Sequence, residues 1–214
     1  MRCIGLDLME KRYNVRIERA LDTSALSGFK CGVKSMDDFI HDQEKGLAKF
    51  IKLRLSNLWI VFEGEKAVAF FALSKDALML NNEDRRTIEH KEQNTSALPS
   101  MEDAEKFWDK EKYPAIEIDY LAVCEEKRNN PEDHLGTYLI DHIISWASSD
   151  IFSATLFLTV EALDTQEYSA VEFYRNCDFE FSEVAQNKYN YDSLYGNPPT
   201  TRRMYKIILP LDKD

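Results

Sequence analysis

The chain has 214 residues, 44% of them hydrophobic and 12% aromatic. That is enough apolar material for a packed core, and it excludes a mainly disordered protein. Its 27 Lys and Arg against 38 Asp and Glu leave a net charge of −11, which argues against DNA or an anionic membrane surface as partner and suits a cationic one such as an amine.

The first expected strand is residues 15–19, where apolar and charged side chains alternate. A helix is expected from Ser35 onward, with Met36, Phe39, Ile40 and Leu47 at helical spacing and Asp37 and Asp38 in its first turn. Residues 58–63 and 67–73 read as two strands of a hairpin around Glu63-Gly64-Glu65-Lys66. Residues 74–114 are charge-rich and too polar to own a core. They read as an insertion of one or two short helices, one starting at Ser100 and Asp103, within a single domain.

Residues 115–124 (AIEIDYLAVC) form the strongest strand pattern. A polar loop, 125–133, leads into a helix at 134–148 whose stripe is Leu135, Leu139, Ile143, Trp146 and Ala147. A buried strand at 154–162 and a short helix at 169–177 follow. Two closing strands, 179–185 and 204–209, are joined by a tyrosine-rich loop at 186–203. This alternation predicts a three-layer α/β fold with a mixed central sheet flanked by helices.

Cys3, Cys31, Cys124 and Cys177 show neither a C-x-x-C pair nor zinc-ligand spacing, so no metal is expected and a reduced, cytoplasmic compartment fits best. The first fifteen residues carry no apolar stretch of signal-peptide length, and the longest apolar runs fall far short of the ~20 residues of a membrane helix.

Four segments, IEIDYLAV, LGTYLIDHIISWA, LFLTVEA and AVEFYRNCDFEF, together with a closing RRMYKIIL, resemble the GNAT superfamily of N-acetyltransferases. The last of the four resembles the family's A-x-x-F-Y-x-x-x-G-F segment, with Asp178 at the usual glycine. FKCGVKSMDDFI is similar to the opening of a GNAT branch that includes toxin-type acetyltransferases of toxin–antitoxin pairs. Those toxins act on charged transfer RNA and tend to be basic, and the charge of −11 argues against that use, with an antitoxin partner kept as a lesser alternative. The resemblance implies a GNAT-like mostly antiparallel sheet, splayed in the middle to seat acetyl-CoA, with a primary amine as acceptor.

The family's phosphate loop, R/Q-x-x-G-x-G/A, is altered here. In RNNPEDHLG only Gly136 survives, His134 replaces the earlier glycine, and Arg128 is a basic residue out of register. The loop opens a helix, so the amides of His134, Leu135, Gly136 and Thr137 are the expected pyrophosphate ligands. The alternative is a helix cap by Asp133, with nothing bound.

On the strand resembling the family's central one, Glu117 stands where lysine-type acetyltransferases place a general base. Asp119 shares its face and is a substitute or a partner in holding a cation. For both, a solvated strand face or a salt bridge is the alternative. The resemblance makes the Val123 N–H the donor to the thioester carbonyl, with Leu121 and Ala122 beside it on the pantetheine arm. It makes Tyr174 the acid that protonates the leaving thiolate; a packed core tyrosine is the alternative. Cys124 reads as a small buried residue, and His134 and His142 as ordinary. Tyr189, Tyr191 and Tyr195 read as surface, with an acceptor pocket or a homodimer contact as alternatives. A catalytically silent GNAT-fold module that binds coenzyme A or a partner, and a toxin-type acetyltransferase controlled by an antitoxin protein, are the competing functions.

Overall fold

A hairpin organises the first half of the chain. Strands β2 (Asn57–Glu63) and β3 (Lys66–Leu78) pair antiparallel across a turn in which Gly64 adopts φ +59°. Glycine reaches that left-handed region without a steric cost. Strand β1 (Arg16–Ala20) joins β2 antiparallel. The computed structural model describes residues 13–92, 107–130, 132–149, 154–194, 196 and 199–208. Its further strands are β4 (Tyr113–Val123), β5 (Phe157–Leu163), β6 (Glu180–Phe181) and β7 (Thr201–Ile207). The helices are α1 (Lys34–His41), α2 (Leu47–Lys52), α3 (Asn82–Glu92), α4 (Glu125–Arg128), α5 (Leu135–Ser149), α6 (Val171–Asn176) and α7 (Glu183–Leu194). The strands form one seven-stranded sheet in the order β1-β2-β3-β4-β5-β7-β6, a mixed α/β fold as the sequence predicts.

The chain divides into two compact units, Met1–Ser74 with Ile118–Ile143, and Lys75–Glu117 with Ile144–Asp214. In the first, Leu58, Ile60, Phe70 and Phe71 of the hairpin are buried together with Leu26, Ile40, Leu47 and Leu135. Phe29 meets Phe70 edge-on at 5.5 Å, and Phe39, Phe50 and Tyr120 form an aromatic triad. The Cys124 N–H donates to the Val68 carbonyl at 2.8 Å, which ties the end of β4 to β3.

In the second unit, Leu78, Leu80, Ile88, Tyr113, Phe157 and Tyr205 form a buried cluster, with Phe107 and Trp108 packed against it. Asp84 accepts the Asn81 N–H at 3.1 Å before α3 and the Glu183 N–H at 2.9 Å at the start of α7. One carboxylate thus joins two helices, and its burial raises its pKa.

Three expectations change. The helix expected to run from Ser35 through Leu47 is two helices, broken because Asp42 leaves helical geometry at ψ 109° and its carboxylate accepts the Glu44 and Lys45 N–H groups. Strand β3 continues to Leu78, so residues 74–78 belong to the sheet and not to an insertion. Its inward row there holds Ser74 and Asp76, whose polar side chains hide the strand pattern because they are satisfied by other side chains. The expected strand 179–185 shrinks to Glu180–Phe181, and α7 replaces the expected tyrosine-rich loop. Ser182 provides the missed start signal: it stands at the N-cap, where its Oγ accepts the Ala185 N–H at 3.5 Å. The expected helix start at Ser100 and Asp103, along with Cys3, Tyr195 and the first twelve residues, lies outside the described residues.

Candidate active site

The residues singled out by sequence fall into the two units. Asp119, Leu121, Ala122, Val123, Arg128 and His134–Thr137 are in the first, and Glu117 and Tyr174 are in the second.

In the first unit, β4 ends at Val123 and the short helix α4 follows at once. The loop after it delivers Asp133 to the start of α5, where its Oδ1 accepts the Leu135 N–H at 3.0 Å. The other oxygen, Oδ2, faces Lys127 Nζ at 3.4 Å, and Lys127 also donates to Glu63 at 3.0 Å. Burial alone would depress the Lys127 ammonium, but Glu63 and Asp133 outweigh it and hold its pKa above the usual lysine value. The helix cap weighed as an alternative is therefore present. Gly136 and Thr137 sit at the next two positions of the same first turn, where N–H groups have no partner within the helix. His134 and Thr137 are exposed and Leu135 is buried. The first amide of this turn already holds a carboxylate.

Asp119 accepts two hydroxyls, Ser56 Oγ at 2.5 Å and Ser74 Oγ at 2.9 Å. Ser56 precedes β2 and Ser74 lies on β3, so Asp119 braces the hairpin. Val123 and Ala122 are buried and Leu121 is half-buried.

In the second unit, Glu117 is paired. Its Oε1 accepts Arg203 Nη1 at 2.9 Å, with the two side chains 22% and 16% exposed. The same guanidinium donates to Asp76 and lies 3.5 Å from Glu161. Thr159 Oγ1 donates to Asp76 at 2.6 Å. Burial alone would raise the Asp76 carboxyl; the Thr159 hydroxyl, the Ala77 amide and the Arg203 guanidinium outweigh it and hold its pKa below the usual value. Glu117 is thus one of three carboxylates gathered on one arginine. Sequence reasoning missed Arg203, Asp76 and Glu161. The available signal was the alternation of β3 through Ser74, Asp76 and Leu78, and a pair of arginines inside the last strand.

Tyr174 on α6 is buried, with the rings of Phe173 and Phe179 at 5.0 and 5.3 Å. Burial pushes its hydroxyl well above the usual phenol pKa, so the group keeps its proton. Asp178 takes φ +63°, a left-handed conformation that suits the glycine usual in the resembled segment and that aspartate tolerates better than most residues.

Cys31, Cys124 and Cys177 are buried. Among the described residues no group of His, Cys, Asp and Glu is arranged to hold a metal ion, and no helix is long and apolar enough to cross a membrane.

No protein-family model matches the chain, and no curated protein does. Solved structures do, and the fold they share with the chain is the GNAT fold. A mutant of the toxin AtaT, bound to the C-terminus of the antitoxin AtaR and acetyl-CoA, matches at a TM-score of 0.55 and 15% identity over 91% of this chain and 93% of that one. AtaT complexed with acetyl-methionyl-tRNAfMet matches at 0.53 and 20% identity over 78% and 86% of the two chains. A mutant of KacT matches at 0.57 and 16% identity over 91% and 95%. At these identities the likeness establishes the fold alone.

Proposed function

We propose that the protein is an acyl-CoA-dependent N-acyltransferase that moves an acetyl group from acetyl-CoA to a primary amine by direct attack. The observation that carries the reading is the fold, shared over nearly the whole chain with a toxin solved with acetyl-CoA. The first turn of α5 supports it, because its Leu135 amide already receives a carboxylate oxygen and Gly136 and Thr137 offer two further amides for a pyrophosphate.

The chemistry needs three groups. Glu117 takes a proton from the acceptor ammonium, directly or through water, which exposes the nitrogen lone pair. The nitrogen attacks the thioester carbonyl carbon, whose oxygen gains negative charge and is met by the Val123 N–H. The carbon–sulfur bond breaks and Tyr174 protonates the thiolate; the nitrogen, which still carries two protons, gives one to the Tyr174 oxygen and keeps the other as the amide N–H, and Glu117 releases its proton to water. Arg128, Leu121 and Ala122 line the path of the CoA arm in this reading. Asp119, held by two serine hydroxyls, is the substitute base.

The solved relatives favour one particular acceptor, the α-amine of an aminoacyl-tRNA, with an antitoxin as controlling partner. The net charge of −11 favours a small cationic amine or a protein amine instead. Thermal melting with and without acetyl-CoA tests the binding step. At a 100-fold excess over Kd the ligand adds about 2.7 kcal/mol of stability. An unchanged melting curve at millimolar acetyl-CoA contradicts the transferase reading and leaves a silent module of the same fold.

A further inference from the structure

Within the second unit, α7 lies over the β5–β7 pair and leaves a pocket of about 190 Å³ lined by Glu161, Gln186, Tyr189, Asp192, Arg202 and Arg203 among others. At ~30 Å³ per water, that space takes a chain of about five or six heavy atoms. Its walls are built rather than incidental. Arg202 is clasped between the rings of Phe181 and Tyr189, at 4.3 and 4.5 Å, and donates to Gln186. Asp164 lies 3.8 Å from the Arg202 guanidinium. That clasp fixes α7 to β7 and spends the Arg202 charge on groups already present.

Arg203 is spent likewise, on Asp76, Glu117 and Glu161. With the carboxylates behind the two arginines included, five acids (Asp76, Glu117, Glu161, Asp164 and Asp192) face three bases (Lys188, Arg202 and Arg203). Two negative charges remain in excess. Glu161 is the most exposed of the carboxylates on Arg203, at 45%, and among the described residues its two oxygens lie 3.5 Å from Arg203 and 3.1 Å from Thr201 Oγ1.

We infer that this pocket binds the cationic head of a primary alkylamine, with Glu161 as its direct contact. Arg203 links that contact to Glu117 through the carboxylates it holds, so Arg203 is a positioning residue. The inference rests on the acyltransferase reading, for which it names the subsite that receives the acceptor, but the binding itself needs no acetyl-CoA.

The test uses the full chain without acetyl-CoA and three probes, n-pentylamine, butane-1,4-diamine and the neutral pentan-1-ol. Backbone amide shifts are followed by NMR. The amines are expected to shift the amides of Tyr189 and Thr201 saturably, and pentan-1-ol is not. Glu161→Gln is expected to weaken amine binding about five- to tenfold, a loss of about 1–1.4 kcal/mol. Asp192→Asn, on the outer helix, is expected to weaken it in the same direction and serves if Glu161→Gln fails to fold. Amine and alcohol binding alike, no saturable shift at millimolar amine, or full amine affinity in the variants would each overturn the inference. Thiol release from acetyl-CoA, followed separately, distinguishes the two failures. Turnover with a silent pocket sinks the pocket alone, whereas amine binding without any acetyl-CoA binding sinks the transferase reading alone.

Discussion

The Asp133 carboxylate accepts the Leu135 N–H at 3.0 Å, in the first turn of α5 and in the place where a GNAT phosphate loop would present its amides. The same side chain therefore caps the helix and competes with an incoming anion. Asp133→Ala should lower stability by about 1 kcal/mol, the usual value of a lost cap. Asp133→Asn keeps an acceptor oxygen and removes the charge, so it should bind acetyl-CoA more tightly. Titration calorimetry of both variants checks this, and weaker binding by Asp133→Asn contradicts it.

Glu117 and Tyr174 carry the two proton transfers in the proposed chemistry. Glu117→Gln and Tyr174→Phe should each lower kcat by about 10²–10⁴-fold, the usual range for general acid–base groups. Both should still fold, because Arg203 keeps Asp76 and Glu161 and phenylalanine preserves the aromatic packing around position 174. Steady-state kinetics beside melting curves separates lost chemistry from lost structure. Normal turnover in both variants would reject these roles and leave the fold assignment intact.

The order of elements was readable from the sequence because its strongest strands follow simple rules. Residues 57–73 are apolar around a glycine turn, and 113–123 is a long apolar strand. What hid was polar and inward-facing. Ser74 and Asp76 read as loop residues because their satisfying partners, Asp119, Thr159 and Arg203, lie 45 to 127 positions away. Helix α7 hid because its residues show almost no apolar stripe and its first amide is capped by Asp84, 99 residues distant. Among the singled-out residues, the sequence pointed to Glu117 and Tyr174 by family likeness, but no local pattern announces that Arg203 gathers three carboxylates.

His142 gives the fold a pH dependence. Burial pushes its pKa down to about 4 from an ordinary 6.5. Above pH 6.5 neither the folded nor the unfolded chain holds the proton and the stability is intact. As the pH falls from 6.5 toward 4, the unfolded chain takes up a proton that the folded chain refuses, so stability declines, by about 3 kcal/mol at most. Urea unfolding between pH 7 and pH 4 should show this fall, and His142→Phe should flatten it. An identical pH profile in the variant contradicts the assignment.

Gly46 joins α1 to α2 at close quarters. A Cβ there would stand far inside contact distance of the Phe39 carbonyl oxygen and 2.5 Å from that of Asp42. Both are backbone atoms that no side-chain rotation relieves. Gly46→Ala should therefore cost at least about 2 kcal/mol, whereas Gly28→Ala, with open space around it, should cost far less. Paired melting temperatures decide it, and equal losses at the two positions would contradict the packing described.

The most direct measurement incubates the protein with deuterium-labelled acetyl-CoA and a panel of primary amines that includes methionyl-tRNA, then follows free thiol and labelled product by mass spectrometry. The account predicts labelled amide on at least one amine in step with thiol release, abolished in Tyr174→Phe. Thioester left intact across the panel, or cleaved only to labelled acetate, would contradict it.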